Sequence, residues 1–341
     1  MIESNRMKKI KTLVITLLGV FLAYSSVFAQ FKVAVVGKTK NDSFYMQAFD
    51  GCLQFAAAVD DLTCIYDGPA DYQDPRSQVR VVEHLLEQGV DGILIATTNS
   101  DFLVERMLKL TDKVNIPVIT FDSDLLPEHQ RYRLAYVGTN NFDFGVALGE
   151  YAKRYKKNDQ TEICIQSGSD STPNLNDRIR GVRFALSGDY SNERLTGQSG
   201  WIEHSRCPFY TLGKRDNALK QLKFILSQES PPLFLAVAGF AQFSPDYIAE
   251  IMPYQQQIRS GKHVVISADA EAIQLEALKL NLSTVNIGQR PQEMGRYSAE
   301  LMYDVLKHNK MPEQQINYLG FYYCTAEGQV NCSTSDSALS R

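Results

Sequence analysis

The run Gly92-Ile93-Leu94-Ile95-Ala96, the helical spacing of Phe102 to Val114, and the run Pro117-Val118-Ile119-Thr120-Phe121 together decide the fold class. Each short run is apolar along nearly its whole length, with Thr120 the one hydroxyl, which marks a strand covered on both faces. The chain between them suffices for one crossover helix, so the three pieces make a βαβ unit with parallel strands. The pattern extends upstream. Phe31 to Val36 and Leu62 to Tyr66 read as strands, and Asp42 to Ala58 and Ser77 to Glu87 as helices. It then restarts downstream with strand Glu162 to Gln166, helix Asp177 to Leu186, helix Asn217 to Ser227 and strand Leu233 to Val237. A helix around Pro245 to Met252, strand Val264 to Ser267 and helix Ala272 to Leu280 complete it. Two consecutive halves of similar size predict an α/β protein of two doubly wound parallel-sheet lobes. Open parallel sheets bind ligands beyond the carboxyl ends of their strands, so facing lobes would set two such edges around one cleft.

The length of 341 residues fits two domains, and 44% hydrophobic with 22% charged residues is the profile of a soluble globular chain. A net charge of -4 leaves no basic excess to neutralise phosphates, which argues against nucleic acid as a partner. The N-terminus carries the basic stretch Met7 to Lys11, the apolar run Leu13 to Tyr24 and the small-residue exit Ser25 to Ala29. These are the three parts of a signal peptide, expected over residues 1–29 with cleavage after Ala29. The apolar run is short for a membrane-spanning helix, which needs about 20 residues. Residues 1–29 hold four basic residues and one acidic residue, so the remainder carries -7 and is expected to be a soluble monomer. Six cysteines follow, an even count that favours disulfides in an exported chain. Cys324 and Cys332 flank a turn-like centre and are expected to close a hairpin. Cys52 with Cys64 and Cys164 with Cys207 are the neighbours left, either bonded or buried as free thiols.

No Gly-x-Gly-x-x-Gly, Walker loop, His-Glu-x-x-His or Gly-x-Ser-x-Gly occurs, and the five histidines form no triad-like set. No catalytic residue, cofactor or metal site is expected; His204-x-x-Cys207 is a single pair of weak metal-like spacing. Polar and aromatic residues gather instead at strand ends: Lys38 to Tyr45, Asp122-Ser123-Asp124, Asp269 and Gln289-Arg290. Carboxylates and amides beside aromatic rings suit a polyhydroxylated ligand, whose C–H face stacks while its hydroxyls donate. The plainer role for any one of these aspartates is a helix N-cap.

The segments Asn41 to Tyr45, Gly89 to Ile95, Asn115 to Asp122, Tyr136 to Asn140, Asp177-Arg178-x-x-Gly181-x-x-Phe184 and Ile287 to Gln289 come in the order of a known family. The chain resembles the type I periplasmic binding proteins of the ribose and galactose kind, over nearly its whole mature length. The resemblance implies a three-crossing hinge, with residues 30–139 and 290–318 in an N-terminal lobe and 140–289 and 319–341 in a C-terminal lobe. It implies stacking by Phe44 and Tyr45 and ligand hydrogen bonds from Asp42, Asp122, Asn176, Asp269 and Gln289. Lys38, Arg178 and Trp201 complete the candidate set; Trp201 either caps the ligand or packs on the lobe surface. Relatives usually carry Asn at Asp42, Arg at Ser123 and at Asn176, and an Asn-Asp pair within Gly239-Phe240-Ala241, which argues against ribose itself. The implied function is a solute receptor in the periplasm of a Gram-negative bacterium, presenting a sugar-like ligand to an inner-membrane ABC permease. The alternative is a co-receptor that hands its closed state to a membrane sensor kinase, as relatives such as the autoinducer-2 receptor do.

Overall fold

The computed structural model describes residues 30–334 apart from 73, 158 and 328. The leader expected over residues 1–29, with its cleavage site, lies outside the described residues. Strands are numbered here in chain order. One sheet has six parallel strands in the order β12-β5-β4-β3-β1-β2. These are β1 (Phe31–Val36), β2 (Leu62–Asp67), β3 (Gly92–Ile95), β4 (Val118–Phe121), β5 (Ala135–Gly138) and β12 (Ile316–Tyr318). The second sheet runs β14-β13-β11-β10-β9-β6-β7, with β8 also paired to β6. It holds β6 (Thr161–Ser167), β7 (Trp201–Glu203), β8 (Phe209–Tyr210), β9 (Leu233–Ala236), β10 (Val265–Ala268), β11 (Val285–Gly288), β13 (Tyr322–Glu327) and β14 (Gln329–Ser333). The closing hairpin β13–β14 is antiparallel, so this sheet is mixed. The chain passes between the sheets three times: from β5 to β6, from β11 to β12, and from β12 to β13.

The helices used below are α1 (Ser43–Ala56), α2 (Pro75–Glu87), α3 (residues 100–113, with a π-helical turn at Val104–Leu108), α4 (Asn141–Lys153) and α5 (Pro173–Ser187). They continue with α6 (Arg215–Leu226), α7 (Tyr247–Ile251), α8 (Gln255–Arg259), α9 (Ala272–Lys279) and α10 (Pro291–His308). Side chains alternate across a strand, and here both faces of the first sheet are covered. Val33 and Val35 pack with Ala48 of α1 and Met294 and Met302 of α10. Ala34 and Val36 pack with Val79 and Val82 of α2 and Leu103 of α3. Each such buried side chain contributes about 1.5–3 kcal/mol, which is why these strands contain no polar alternation. The second lobe has one contiguous core spanning β6, β9, β10 and β11.

Each lobe also holds one tightly crossed helix pair, α1 with α10 and α4 with α5. A Cβ at Gly295 would collide with the backbone of Ala48, and one at Gly145 with the backbone of Arg178. Glycine is what lets these backbones touch.

Three disulfides are formed, the two pairs left open by the sequence, Cys52–Cys64 and Cys164–Cys207, and the expected Cys324–Cys332. The last joins residues directly opposite in the β13–β14 ladder.

Candidate functional site

The cleft between the sheets is built around two aspartates in matching positions. Asp122 follows β4 and Asp269 follows β10, and both have a left-handed backbone, with φ of 59° and 68°. Asp is one of the few side chains enriched in that region. Each backbone N–H donates to the next strand, Asp122 to Val137 at 3.2 Å and Asp269 to Ile287 at 2.7 Å. The local geometry is thus repeated, once per lobe, at the carboxyl edge where ligands of such sheets bind.

Around Asp122 the contacts are charged. Lys38 is fully buried, and its Nζ lies 3.2 Å from Asp122 Oδ2 and 3.2 Å from Asn174 Oδ1 of the opposite lobe. Tyr45 donates its hydroxyl to Asp122 Oδ2 at 3.1 Å. Asp42 both caps α1, accepting from Phe44 N at 3.0 Å, and lines the cleft, with Arg215 3.5 Å away. The N-cap and the cleft-facing roles therefore coexist in one side chain.

Around Asp269 the partners are neutral. Gly239 N donates to Oδ2 at 3.2 Å and Gln289 Nε2 to Oδ1 at 2.8 Å. Gln289 Oε1 in turn accepts from Thr139 Oγ1 and Arg178 Nη2, both at 2.9 Å. Arg178 is held by Asn141 Oδ1 at 2.8 Å and the Val237 carbonyl at 2.9 Å, over the ring of Phe144. Thr139 and Gln289 sit on two different crossings, so this network ties the hinge to the site.

Burial pushes the Asp42 and Asp269 carboxyls above the usual carboxylate range and the Lys38 ammonium below its own. Desolvation penalises whichever form is charged. Glu271, reached across the cleft by Gln47 Nε2 at 2.5 Å, is pushed up to about 7 by the same cause.

Eight of the ten expected residues meet here: Lys38, Asp42, Phe44, Tyr45, Asp122, Arg178, Asp269 and Gln289. Asn176 does not. Helix α5 starts at Pro173, so Asn174 and Arg178, four residues apart, share the cleft face. Asn176 turns away, donates to the Asp170 carbonyl at 2.6 Å and lines a neighbouring chamber. The guanidinium expected to be missing at Asn176 is therefore present at Arg178.

Trp201 is also corrected. It is 1% exposed, lies on β7 opposite Thr161 of β6, and packs in the core of the second lobe. It can neither cap a ligand nor sit on the surface.

Six residues of the cleft wall were not among the candidates: Tyr72, Asn174, Leu175, Ala238, Phe240 and Phe243. Tyr72 meets Phe240 edge-on across the lobes at 4.9 Å. Phe240 carried a signal, because it stands where relatives have a polar residue. Tyr72 and Phe243 carried none. In this closed arrangement the cluster encloses about 30 Å³, room for a water or two. A ring-sized ligand needs the lobes apart and the Lys38–Asn174 and Tyr72–Phe240 contacts opened.

Comparison with known proteins agrees with this geometry. Residues 33–310 match the family described as periplasmic binding protein domain. A D-ribose/D-allose-binding protein of Pseudomonas aeruginosa is 30% identical over 182 residues, 51% of this chain and 56% of that protein. The ribose import binding protein of Escherichia coli is 24% identical over 180 residues, 53% of this chain and 58% of its own length. The aligned stretch thus spans a little over half of each of these relatives. An ABC transporter solute-binding protein from Agrobacterium vitis, solved with α-D-tagatopyranose, superposes with a TM-score of 0.73 at 21% identity, covering 92% of this chain and 98% of that one. The paired strand-end aspartates, the three crossings and the family match lead to one conclusion: the chain belongs to the periplasmic binding proteins, in their type I, ribose-binding-like branch.

Proposed function

We propose that this protein is a periplasmic solute receptor that closes its two lobes on a sugar-like ligand and presents it to an ABC importer. The observation that carries the reading is the pair of left-handed aspartates, one per lobe, facing each other between aromatic walls. Two carboxylates accept hydroxyl hydrogens from opposite sides, while Phe44, Phe240 and Phe243 cover the C–H faces of a ring. Neither lobe encloses a ligand alone, so a bound sugar favours closure by its differential contacts. The lobes divide at the crossings, with 30–139 and 290–318 on one side and 140–289 and 319–334 on the other; residues 335–341, expected in the second lobe, lie outside the described residues. The receptor acts as a monomer, without cofactor, and binds its ligand without transforming it. The sugar-binding relatives support this reading.

The test is titration calorimetry and small-angle scattering of the purified protein with D-ribose, D-allose, D-galactose and D-glucose. Binding of one of them with compaction, weakened in Asp122→Asn, is the expected result. Failure of all four, or binding without compaction, would overturn the reading.

A further inference from the structure

A second chamber of about 520 Å³ opens beside the buried cluster, and Asn174 belongs to the walls of both. The size contrast matters. Small-molecule pockets usually run from about 300 to 1,000 Å³, so in the closed form the chamber, and not the cluster, has room for a sugar ring.

Its walls come from both lobes. Tyr318 and Ile316 on edge strand β12 and the loop after β4 form one side; α5 and Tyr210 form the other. Tyr318 is 56% exposed and Tyr210 42%, so two aromatic rings from opposite lobes are left available at the cavity. The charged groups of the wall are already neutralised. Asp124 is paired with Arg133 at 2.6 Å, Asp177 with Arg180 at 2.5 Å, and Arg183 with Glu203 at 2.7 Å. What remains is amide, aromatic and aliphatic: Gln130, Asn140, Asn176 and Asn192 between the tyrosines, with Leu126 and Ile179 beside them. Such a lining favours a neutral, hydroxyl-rich molecule over an ion.

We propose that this chamber is a second saccharide subsite, which holds the outer ring of a ligand longer than a monosaccharide while the inner ring enters the Asp122–Asp269 cluster. The proposal rests on the sugar-receptor reading given above. It also accounts for Asn176, a candidate from the sequence that the buried cluster does not use.

The experiment compares D-galactose with lactose and melibiose, and D-glucose with maltose and cellobiose, by calorimetry on the intact purified protein. At least one disaccharide should bind tenfold or more tightly than its monosaccharide. Tyr318→Ala and Tyr210→Ala should each reduce that disaccharide's affinity roughly three- to tenfold, the worth of one aromatic contact, and leave monosaccharide affinity within twofold. Both tyrosines are largely exposed, so the variants should fold. If no disaccharide outperforms its monosaccharide, or if both variants leave the advantage intact, the subsite is wrong. Monosaccharide binding that Asp122→Asn weakens, without a disaccharide advantage, overturns the subsite alone. Disaccharide binding that is lost in Tyr318→Ala but indifferent to Asp122→Asn keeps the subsite and overturns the cluster. Absence of binding by all six sugars overturns both.

Discussion

Asp122 and Asp269 stand at the same point of the same plan, one in each lobe, yet they are wired differently. Asp122 faces a buried ammonium, Lys38, and a tyrosine hydroxyl. Asp269 faces a backbone N–H and a glutamine amide, and among the described residues no basic side chain lies within 4 Å of it. Duplicated backbone geometry therefore fixes where a carboxylate can be, while the surrounding side chains fix what it costs to keep it charged. The first lobe solves that problem by an ion pair that reaches across the cleft to Asn174. The second solves it within itself, through Gln289 and Arg178. Opening breaks the first arrangement's contact with Asn174 and leaves the ion pair in its lobe; the second arrangement travels whole with its lobe.

The lobes also differ in covalent bracing, and here the largest effect is expected. Cys164–Cys207 closes a separation of 43 residues and Cys52–Cys64 one of 12. In the chain-entropy account these contribute about 4 and 3 kcal/mol. Replacing Cys164 and Cys207 together by Ala should lower urea stability more than the same change at Cys52 and Cys64. The reverse order would show that the second lobe's core carries the stability without its crosslink.

The aspartates themselves give the sharper contrast. Asp122→Asn leaves Lys38 buried without a counter-charge and should destabilise by about 3 kcal/mol. Asp269→Asn preserves the left-handed backbone and the acceptor for Gln289, gives up the weaker one for Gly239 N–H, and removes a carboxylate that burial already disfavours. Its stability should change by less than about 1 kcal/mol. Equal losses in urea titrations would mean that the ion pair is not what distinguishes the two positions.

Ligand affinity should blur the distinction that stability draws. Each carboxylate offers a charge-assisted acceptor worth about 1.5–3 kcal/mol, so either Asn variant should weaken binding roughly 10- to 100-fold. Calorimetry on both checks this. A loss at one position only would show that a single lobe recognises the ligand.

Much of this was legible beforehand, for identifiable reasons. Nearly continuous apolar runs at Ile93 to Ile95 and Val118 to Phe121 have no stable home except a sheet covered on both faces, so the lobes could be read from the residues. Cys324 and Cys332 were legible because a hairpin brings them opposite each other. Trp201 was not, since its strand is three residues long and takes its partners from β6, forty residues away in the chain. Asn176 failed for a subtler reason. The apolar spacing suggested that the helix begins at Asp177, whereas Pro173 starts it a full turn earlier and brings Asn174 to the cleft instead. The burial of Lys38 depends on a residue 136 positions away, which no local pattern encodes.

The smallest effect concerns how closure depends on pH, and it tests whether lobe-to-lobe contacts distinguish the two halves as argued. Glu271 belongs to the second lobe, but Gln47 of the first covers it, and burial raises its carboxyl from about 4.5 to about 7. A carboxyl whose pKa rises on closure is protonated more readily in the closed form than when solvent reaches it. The closed form therefore binds more protons, and acid favours it. The stabilisation is present below about pH 4.5 and is lost as pH rises through 7. Asp42 and Asp269, also raised by burial, act with the same sign. The Lys38 ammonium, lowered by burial, acts with the opposite sign and at higher pH, toward its ordinary range near 10.5. Affinity for the bound sugar should accordingly fall between pH 5 and pH 8 by up to roughly tenfold, or about 1.4 kcal/mol. Glu271→Gln keeps a hydrogen-bonding partner for Gln47 and removes the proton uptake, so it should flatten most of that slope while leaving affinity at pH 5 close to the parent. A slope unchanged in Glu271→Gln would assign the proton to Asp42 or Asp269 instead, and the contact between Gln47 and Glu271 would then play no part in holding the lobes closed.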